Sequence, residues 1–212
     1  MPITYGGLPD ARDSPLAYPA ISRWWRMNFC SHCGAPVTLR IPEGDDQLRY
    51  SCVACGEIHY QNPKMVVGCI PQWQGKILLC RRAIEPRYGW WTLPAGYLEN
   101  GETVTEGARR ETLEEAGATL NELIPYGLYN ICHVNQIYLM FRAQLNGLNF
   151  SPGKESLEVR LFEVEEIPWE DMAFPVIEQT LARYIADRPR GVFPFHIEDV
   201  VRRMGRPSAE GR

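Results

Sequence analysis

Residues 96–118, which read GYLENGETVTEGARRETLEEAGA, constrain this chain more than any other stretch, because they combine helix-capping signals with a dense set of carboxylates. Thr103 predicts the N-cap of a helix, and Glu106 three residues later completes a capping box. Gly117 supplies the left-handed residue that commonly ends a helix. Residues three and four apart share a helix face, which three carboxylates occupy here: Glu111, Glu114 and Glu115. Like charges at this spacing repel, and a divalent cation would reverse that effect, because Mg²⁺ and Mn²⁺ prefer oxygen ligands.

The residues around these carboxylates favour a specific site over the alternative, an ordinary solvated acidic helix face. The glycines and charges from Gly96 to Gly117 form the pattern G-x5-E-x7-R-E-x-x-E-E-x-G. This pattern resembles the box of the Nudix hydrolases at every charged and glycine position. Thr112 and Ala118 stand where that family has bulky aliphatic residues. We interpret both as packing variations, because neither side chain would hold a metal.

The Nudix resemblance implies a role for each charged residue of the box. The expected ligands of the catalytic Mg²⁺ or Mn²⁺ are the three carboxylates together with the carbonyl oxygen of Gly96. Arg110 is expected on a different helix face from the metal ligands, where it would pair with Glu102 and fix the preceding loop to the helix. Such a pair would orient the ligands, as outer groups do at metal sites. The box residues in the predicted catalytic set are Glu102, Arg110, Glu111, Glu114 and Glu115.

The sequence leaves open which residue is the general base that activates the attacking water. Glu111 can serve only if it is not committed to metal. Some Nudix hydrolases use a glutamate from a loop after the box, and Glu155 and Glu158 lie at the matching place in the order of elements. The alternative is that these two residues are ordinary charged residues at the start of a strand. Of the two, Glu158 is included in the predicted catalytic set. His133, in a tight connection between predicted strands, is interpreted as a turn residue.

Two short cysteine motifs near the start of the chain predict a second metal site. Each motif has the form C-x2-C and is followed by a glycine, a spacing that lets both sulfurs face one point. Four thiolates would complete a tetrahedral Zn²⁺ site with no open position, so this zinc is expected to be structural. Strands at 37–41 and 48–51 fill the interval, as in a zinc ribbon, and four unrelated buried cysteines are the alternative. The predicted zinc ligands are Cys30, Cys33, Cys52 and Cys55.

The sequence divides into four predicted regions. These are a flexible N-terminal extension at 1–27, a zinc ribbon at 28–62, a Nudix hydrolase domain at 63–188 and a C-terminal tail at 189–212. For the extension, translation from Met27 and a genuine flexible arm both stay open.

The predicted elements of the second domain indicate an α/β fold. An apolar hairpin and three further strands surround the capped helix, and a closing helix follows at 175–187, which predicts a mixed sheet between two helical layers. The Nudix resemblance implies the same α/β/α sandwich. We expect the stripe of Ala108, Thr112 and Ala116 on the capped helix to face the sheet. The strands are predicted at 65–70, 76–80, 122–132, 136–145 and 157–162.

Bulk composition limits the class of partner. The formal net charge of −4 argues against a general nucleic-acid binder, which usually carries a basic surface. No apolar run approaches the roughly 20 residues of a membrane helix, and no secretory signal is visible, so a cytoplasmic location is expected. The expected partner is a small-molecule nucleotide substrate, without nucleic acid or membrane. A monomer and a homodimer both stay open.

Aromatic residues beside the box indicate how a substrate would be recognised. We expect Trp90, Trp91 and Tyr97 to bind flat substrate rings by stacking, with core packing as the alternative for such residues.

Across residues 29–187 the chain resembles the zinc-ribbon Nudix group that includes the plant plastid FAD pyrophosphatase. The resemblance is carried by the stretches at 52–56, 60–68, 91–98 and 152–158. It implies hydrolysis of FAD to FMN and AMP. ADP-ribose and NADH are the alternative substrates, although the Ser-Gln-Pro-Trp-Pro-Phe-Pro array of NADH-cleaving relatives is absent. A nucleotide-sensing regulatory protein that uses its ribbon for interaction is the non-enzymatic alternative.

Overall fold

The computed structural model describes residues 27–201, which form two compact units with a boundary between Asn62 and Pro63. Of the predicted flexible extension at 1–27, the structure does not describe residues 1–26, and of the predicted C-terminal tail at 189–212 it does not describe residues 202–212. Both segments lie outside the described residues. Neither α-helix within 27–201 is long and apolar enough to cross a membrane.

The first unit is a small antiparallel sheet. Its strands are β1 (Val37–Arg40), β2 (Arg49–Cys52) and β3 (Ile58–His59), in the order β1-β2-β3. β1 and β2 confirm the two predicted strands. The two-residue β3 was missed, because two residues are too short to show an alternating pattern.

The second unit is built on a mixed sheet of eight strands. Six of them follow the order β10-β5-β4-β9-β8-β11, while β6 pairs with β5 and β7 with β4. The pairs β4–β9 and β8–β11 are parallel, and the others are antiparallel. The strands are β4 (Lys64–Trp73), β5 (Lys76–Arg82), β6 (Trp91–Thr92), β7 (Ala95–Tyr97), β8 (Leu120–Ile131), β9 (Gln136–Leu145), β10 (Ser156–Phe162) and β11 (His196–Asp199).

Two α-helices cover opposite faces of this sheet, α1 (Val104–Ala116) and α2 (Pro175–Asp187). Successive strand residues point to opposite faces, so Cys69 packs on the side of α1 while its neighbour Ile70 packs on the side of α2. Leu78 and Leu79 on β5 alternate in the same way. The predicted mixed sheet between two helical layers is therefore confirmed.

Helix α1 begins and ends where the sequence predicts. The Thr103 side chain accepts a hydrogen bond from the Glu106 N–H, the Thr103 N–H donates to the Glu106 carboxylate, and Gly117 is left-handed with φ of 59°. The helix lies close to the sheet: a Cβ built on Gly107 would be 3.0 Å from Val67 Cγ2. Thr112 is fully buried on this face and donates to the Ala108 carbonyl, so a smaller polar residue fits where an aliphatic one was expected.

The turn of the first hairpin is shorter than predicted. The strands predicted at 65–70 and 76–80 left residues 71–75 for the turn, but β4 continues to Trp73, and only Gln74 and Gly75 lie between the strands. Both have positive φ, 48° and 88°. Two-residue turns with positive φ at both positions match the twist of antiparallel strands, which explains the tight connection.

The prediction of a tail from residue 189 is wrong for residues 189–201. Strand β11 pairs in parallel with β8, which makes it an edge strand of the main sheet. His196 contacts Asp187 of α2, Arg183 pairs with Glu198, and Val200 is buried in the core. A four-residue strand fixed by distant contacts leaves little local signal, which is why the sequence did not reveal it.

Candidate active site and cysteine cluster

Two carboxylates of α1 reach the backbone of β7. The Ala95 N–H donates to Glu115 Oε2 at 3.2 Å. A Cβ built on Gly96 would lie 2.3 Å from the Glu111 carboxylate oxygens, so any larger residue at 96 would displace that group. Glu111 and Glu115, four residues apart, therefore face the same short stretch of strand.

The two carboxylates share a poorly solvated position. Burial, and then the charge of Glu111, raise the pKa of Glu115 to about 8. Burial also raises the pKa of Glu111, against the opposing effect of Arg110. A divalent cation held by these oxygens would compensate both the lost solvation and the repulsion, so the residues present fit a Mg²⁺ or Mn²⁺ site.

Arg110 connects the loop before α1 to the carboxylates. Its Nε and Nη2 donate to the two Glu102 oxygens at 3.0 and 2.7 Å, so the predicted pair is present. Nη2 also donates to the Tyr97 carbonyl at 3.0 Å. The hydrogen bonds from Arg110, followed by the one that the Glu99 N–H donates, lower the pKa of Glu102 to about 2.

The expectation that Arg110 lies apart from the metal ligands is wrong. Its Nη1 donates to Glu111 Oε1 at 2.7 Å and to Glu114 Oε2 at 3.0 Å. The Glu114 side chain is 59% exposed. Within residues 27–201 the four cysteines are the only group of three or more Cys, His, Asp or Glu side chains arranged to share a metal ion, so Glu114 does not converge with Glu111 and Glu115 here.

The structure separates the two candidate bases after the box. Glu158 lies 3.8 Å from Arg81, and strand alternation places it on the face of α2, since Val159 packs on the face of α1. Glu158 is thus not brought to the box. Burial is the largest cause of the raised pKa of Glu111 and of Glu115. The charge of Glu155 is a further cause for both groups.

The loop that leads to Glu155 is attached to the end of α1. The Ser151 N–H donates to the Ala116 carbonyl at 2.9 Å, and the Gly153 N–H donates to the Glu115 carbonyl at 3.0 Å. A Cβ built on Gly153 would lie 1.6 Å from the Glu114 carbonyl oxygen. The helix end and this loop therefore approach more closely than any side chain would permit.

The three predicted ring-binding residues occupy different environments. Trp91 is 8% exposed and packs edge-on against Phe162 with ring centroids 4.8 Å apart, so it belongs to the core and its predicted role in substrate binding is wrong. Trp90 is partly buried beneath the guanidinium of Arg87. Tyr97 is 44% exposed, but strand alternation turns its side chain away from the face on which Gly96 meets Glu111. Its ring lies 5.1 Å from the Lys64 ammonium, and its hydroxyl accepts a hydrogen bond from the Gln136 amide.

Sequence reasoning missed Arg82. Its Nε donates to the Pro86 carbonyl at 2.9 Å, and its guanidinium lies 5.0 Å from the Phe174 ring centroid. Its charge opposes the rise in pKa of Glu115 and of Tyr138, whose pKa burial raises to about 12. A cation at the end of β5 was visible in the sequence, but its aromatic partner lies far along the chain.

The cysteine cluster brings its four sulfurs together. The Sγ atoms of Cys33 and Cys52 are 3.4 Å apart, those of Cys30 and Cys55 are 3.8 Å apart, and all four lie within 4.8 Å of one another. The backbone N–H groups of Ala54 and Cys55 donate hydrogen bonds to Cys52 Sγ. The bond from Cys55 is the largest cause that lowers the pKa of the Cys52 thiol to about 6. This donor set fits a tetrahedral Zn²⁺.

Comparison with known proteins assigns both units. The family model described as NUDIX domain matches residues 62–184, and the model described as Nudix N-terminal, a zinc ribbon, matches 28–61. A crystal structure of a NUDIX hydrolase from Nitrosomonas europaea is 56% identical, with a TM-score of 0.79 over 82% of this chain and 99% of that one.

Two curated relatives carry more specific names. The NAD-capped RNA hydrolase NudC of Stutzerimonas stutzeri is 31% identical over 184 residues, which are 84% of this chain and 58% of that protein. The ADP-ribose pyrophosphatase of Methanocaldococcus jannaschii is 31% identical over 115 residues, 51% of this chain and 67% of that protein. The chain spans about three fifths of the length of the curated NudC relatives it matches. By its two matching modules, the chain belongs to the Nudix hydrolase family, with the family's N-terminal zinc ribbon preceding a Nudix domain.

Proposed function

We propose that this chain hydrolyses the pyrophosphate bond of an adenosine diphosphate derivative with the help of Mg²⁺ or Mn²⁺. The observation that carries the proposal is the meeting of the Glu111 and Glu115 carboxylates at the Ala95–Gly96 backbone. Two poorly solvated carboxylates with one arginine beside them form a site for a divalent cation. The bound cation would in turn attract phosphate oxygens.

Each residue of the site has a role in this proposal. Glu111, Glu115 and the Gly96 carbonyl would hold the metal, and the exposed Glu114 would join them by rotating away from Arg110. The bound metal would neutralise phosphate oxygens and acidify the attacking water. Arg110 keeps Glu111 oriented and ties it to the loop through Glu102.

The proton of the attacking water requires a base that is not occupied by metal. We propose Glu155, because its charge reaches both candidate ligands and its loop is attached to the end of α1. Glu155→Gln and Glu158→Gln form a matched pair, because they make the same chemical change three positions apart. The first should lose most of its turnover while keeping Mg²⁺ affinity, and the second should keep both. The reverse result would return the base to Glu158.

Arg82 is the candidate group for binding a substrate phosphate. Its Nε is fixed to Pro86 and one face lies against Phe174, while none of the hydrogen bonds within residues 27–201 uses its Nη groups. An arginine held in this way presents a planar pair of donors that matches two phosphate oxygens. Arg82→Met should raise KM more than it lowers kcat.

Among adenosine diphosphate derivatives, FAD is the substrate proposed from the sequence resemblance to the plastid enzyme group. The Arg82–Phe174 pair could stack on an isoalloxazine or adenine ring. The names of the relatives favour a second candidate group, ADP-ribose and NAD-derived substrates, including NAD-capped RNA. All of these contain the same adenosine diphosphate unit.

A substrate panel tests the class and ranks its members. Turnover of FAD, ADP-ribose, NADH and an NAD-capped RNA oligonucleotide should be compared by kcat/KM at equal Mg²⁺, with UDP-glucose as a ligand that lacks adenosine. Cleavage of at least one adenosine derivative, lost in Glu115→Gln and kept in the surface control Glu165→Gln, is expected. Tight nucleotide binding without turnover in the parent protein would contradict the proposal and favour the nucleotide-sensing alternative.

A further inference from the structure

Arg142 of β9 lines a cleft on the main sheet that is separate from the carboxylate site. Gln72 of β4 lies in the same cleft, four residues beyond Gly68, which pairs with Ala95 of the candidate active site. At about 3.3 Å per residue, this offset is roughly 13 Å along the sheet. The cleft therefore requires its own explanation.

The guanidinium of Arg142 stacks on aromatic rings. Its central carbon lies 3.7 Å from the ring centroid of Phe193 and 6.0 Å from that of Tyr126. It has no carboxylate within ion-pair distance among residues 27–201, and its Nε is buried without a hydrogen-bond partner. Stacking fixes the plane of a guanidinium but leaves the donors in that plane unused.

The wall of the cleft adds further donors. The Gln72 side-chain oxygen accepts a hydrogen bond from the Tyr184 hydroxyl, which leaves the Gln72 NH₂ group available. The amides of Asn121 and Gln144 complete the polar lining, and Glu122 is the exposed acidic residue at its edge.

We propose that this cleft binds a small oxyanion, a phosphate or carboxylate group, through the unpaired donor edge of Arg142. Two coplanar donors of the guanidinium match two oxygens of either group, and the Gln72 NH₂ group in the same cleft provides a third donor for the anion. Glu122 at the edge disfavours a highly charged ligand, so the cleft suits a ligand with one or two negative charges. This proposal does not depend on the hydrolase activity.

Direct observation of the Arg142 side chain tests the proposal on the whole chain. The Nε–H resonances of ¹⁵N-labelled protein would be followed during titration with inorganic phosphate and, in a separate arm, with acetate, in buffer without added Mg²⁺. A saturable shift of the Arg142 resonance is expected in at least one arm. A shift with phosphate alone assigns the site to phosphate groups, and one with acetate alone assigns it to carboxylates. No saturable shift in either arm overturns the proposal.

A matched variant pair supports the assignment. Arg142→Met removes the donors, and Arg160→Met makes the same change at a guanidinium that also stacks on a ring, that of Phe162 at 3.9 Å. Followed by the side-chain amide resonances of Gln72 and Gln144 in the same cleft, Arg142→Met should weaken the apparent affinity for the effective anion by about tenfold or more, while Arg160→Met should leave it unchanged. Equal affinity in both variants would also overturn the proposal. If Arg142→Met does not fold, the parent titration alone decides.

Discussion

The cysteine cluster and the carboxylate cluster are both candidate metal sites, but they are assembled in different ways. Four sulfurs already lie within 4.8 Å of one another, on two tight turns a short distance apart in sequence. The carboxylates of α1 are divided: Glu111 and Glu115 face β7, while Glu114 is exposed and bound to Arg110. A closed set of ligands suits a structural ion, whereas an incomplete set leaves room for substrate and water.

The largest effect is expected at the cysteine cluster. We propose that it holds one Zn²⁺, and structural zinc contributes on the order of 10 kcal/mol of folding free energy in small domains. Cys52→Ser should therefore lose the zinc and unfold the first unit. Elemental analysis and protease sensitivity within residues 28–62 provide the measurement. Cys132→Ser, at an exposed cysteine of the second unit, is the control. A full equivalent of zinc in Cys52→Ser would remove the contrast between the two sites.

The next largest effect is expected at Gly96. An alanine Cβ there would meet the Glu111 carboxylate at 2.3 Å, so Gly96→Ala should displace this ligand and lower kcat/KM by more than about 100-fold, with the fold retained. Gly147→Ala is the control, since a Cβ at 147 meets nothing within 4 Å. Near-parental activity of Gly96→Ala, measured at saturating Mg²⁺, would mean that Glu111 is not a ligand.

A smaller loss is expected from Arg110→Lys. Lysine keeps the charge but cannot span Glu102 and Glu111 at once, so activity should fall by about 10- to 100-fold and the Mg²⁺ concentration for half-maximal activity should rise. Arg109→Lys makes the same change one position earlier, where the side chain binds the carbonyls of Leu120 and Asn121. That variant should lose stability and keep its Mg²⁺ dependence. Identical Mg²⁺ profiles for both would remove Arg110 from the site.

The smallest effect concerns stability away from both metal sites. Asp187 is buried, which opposes ionisation, but hydrogen bonds from His196 and Tyr126 outweigh burial and lower its pKa. A lowered pKa stabilises the fold above the unfolded value of about 3.9, and this contribution is lost as the pH falls through the folded pKa. Asp187→Asn should cost about 1–3 kcal/mol at pH 7 and less at acidic pH.

Urea unfolding of the second unit at pH 7 and at progressively lower pH provides the measurement. Asp171→Asn, at an exposed residue, is the control. A stability difference between Asp187→Asn and the parent protein that does not shrink on acidification would contradict the assigned role of the charge.

Local signals made much of this molecule predictable. The caps of α1 and the cysteine turns depend on residues within a few positions of one another, and the Arg110–Glu102 pair depends on spacing along one loop and helix. The core position of Trp91 and the Arg82–Phe174 contact depend on where distant strands meet. No period or motif encodes such meetings. The sequence therefore predicted which charged residues the box contains, but not the contact of Arg110 with Glu111 and Glu114 or the aromatic surroundings.

The attachment of Gly153 to the end of α1 has a consequence for how this chain tolerates change over evolution. The Glu114 carbonyl oxygen occupies the space that a side chain at 153 would need, so every substitution there forces the loop away from the helix. The segment between them, 118–150, contains the buried strands β8 and β9, so the contact at 153 also holds the two ends of this strand pair beside α1. A saturation library should therefore show an intolerant position 153 surrounded by permissive neighbours, a pattern that resembles a catalytic residue although glycine carries no chemistry.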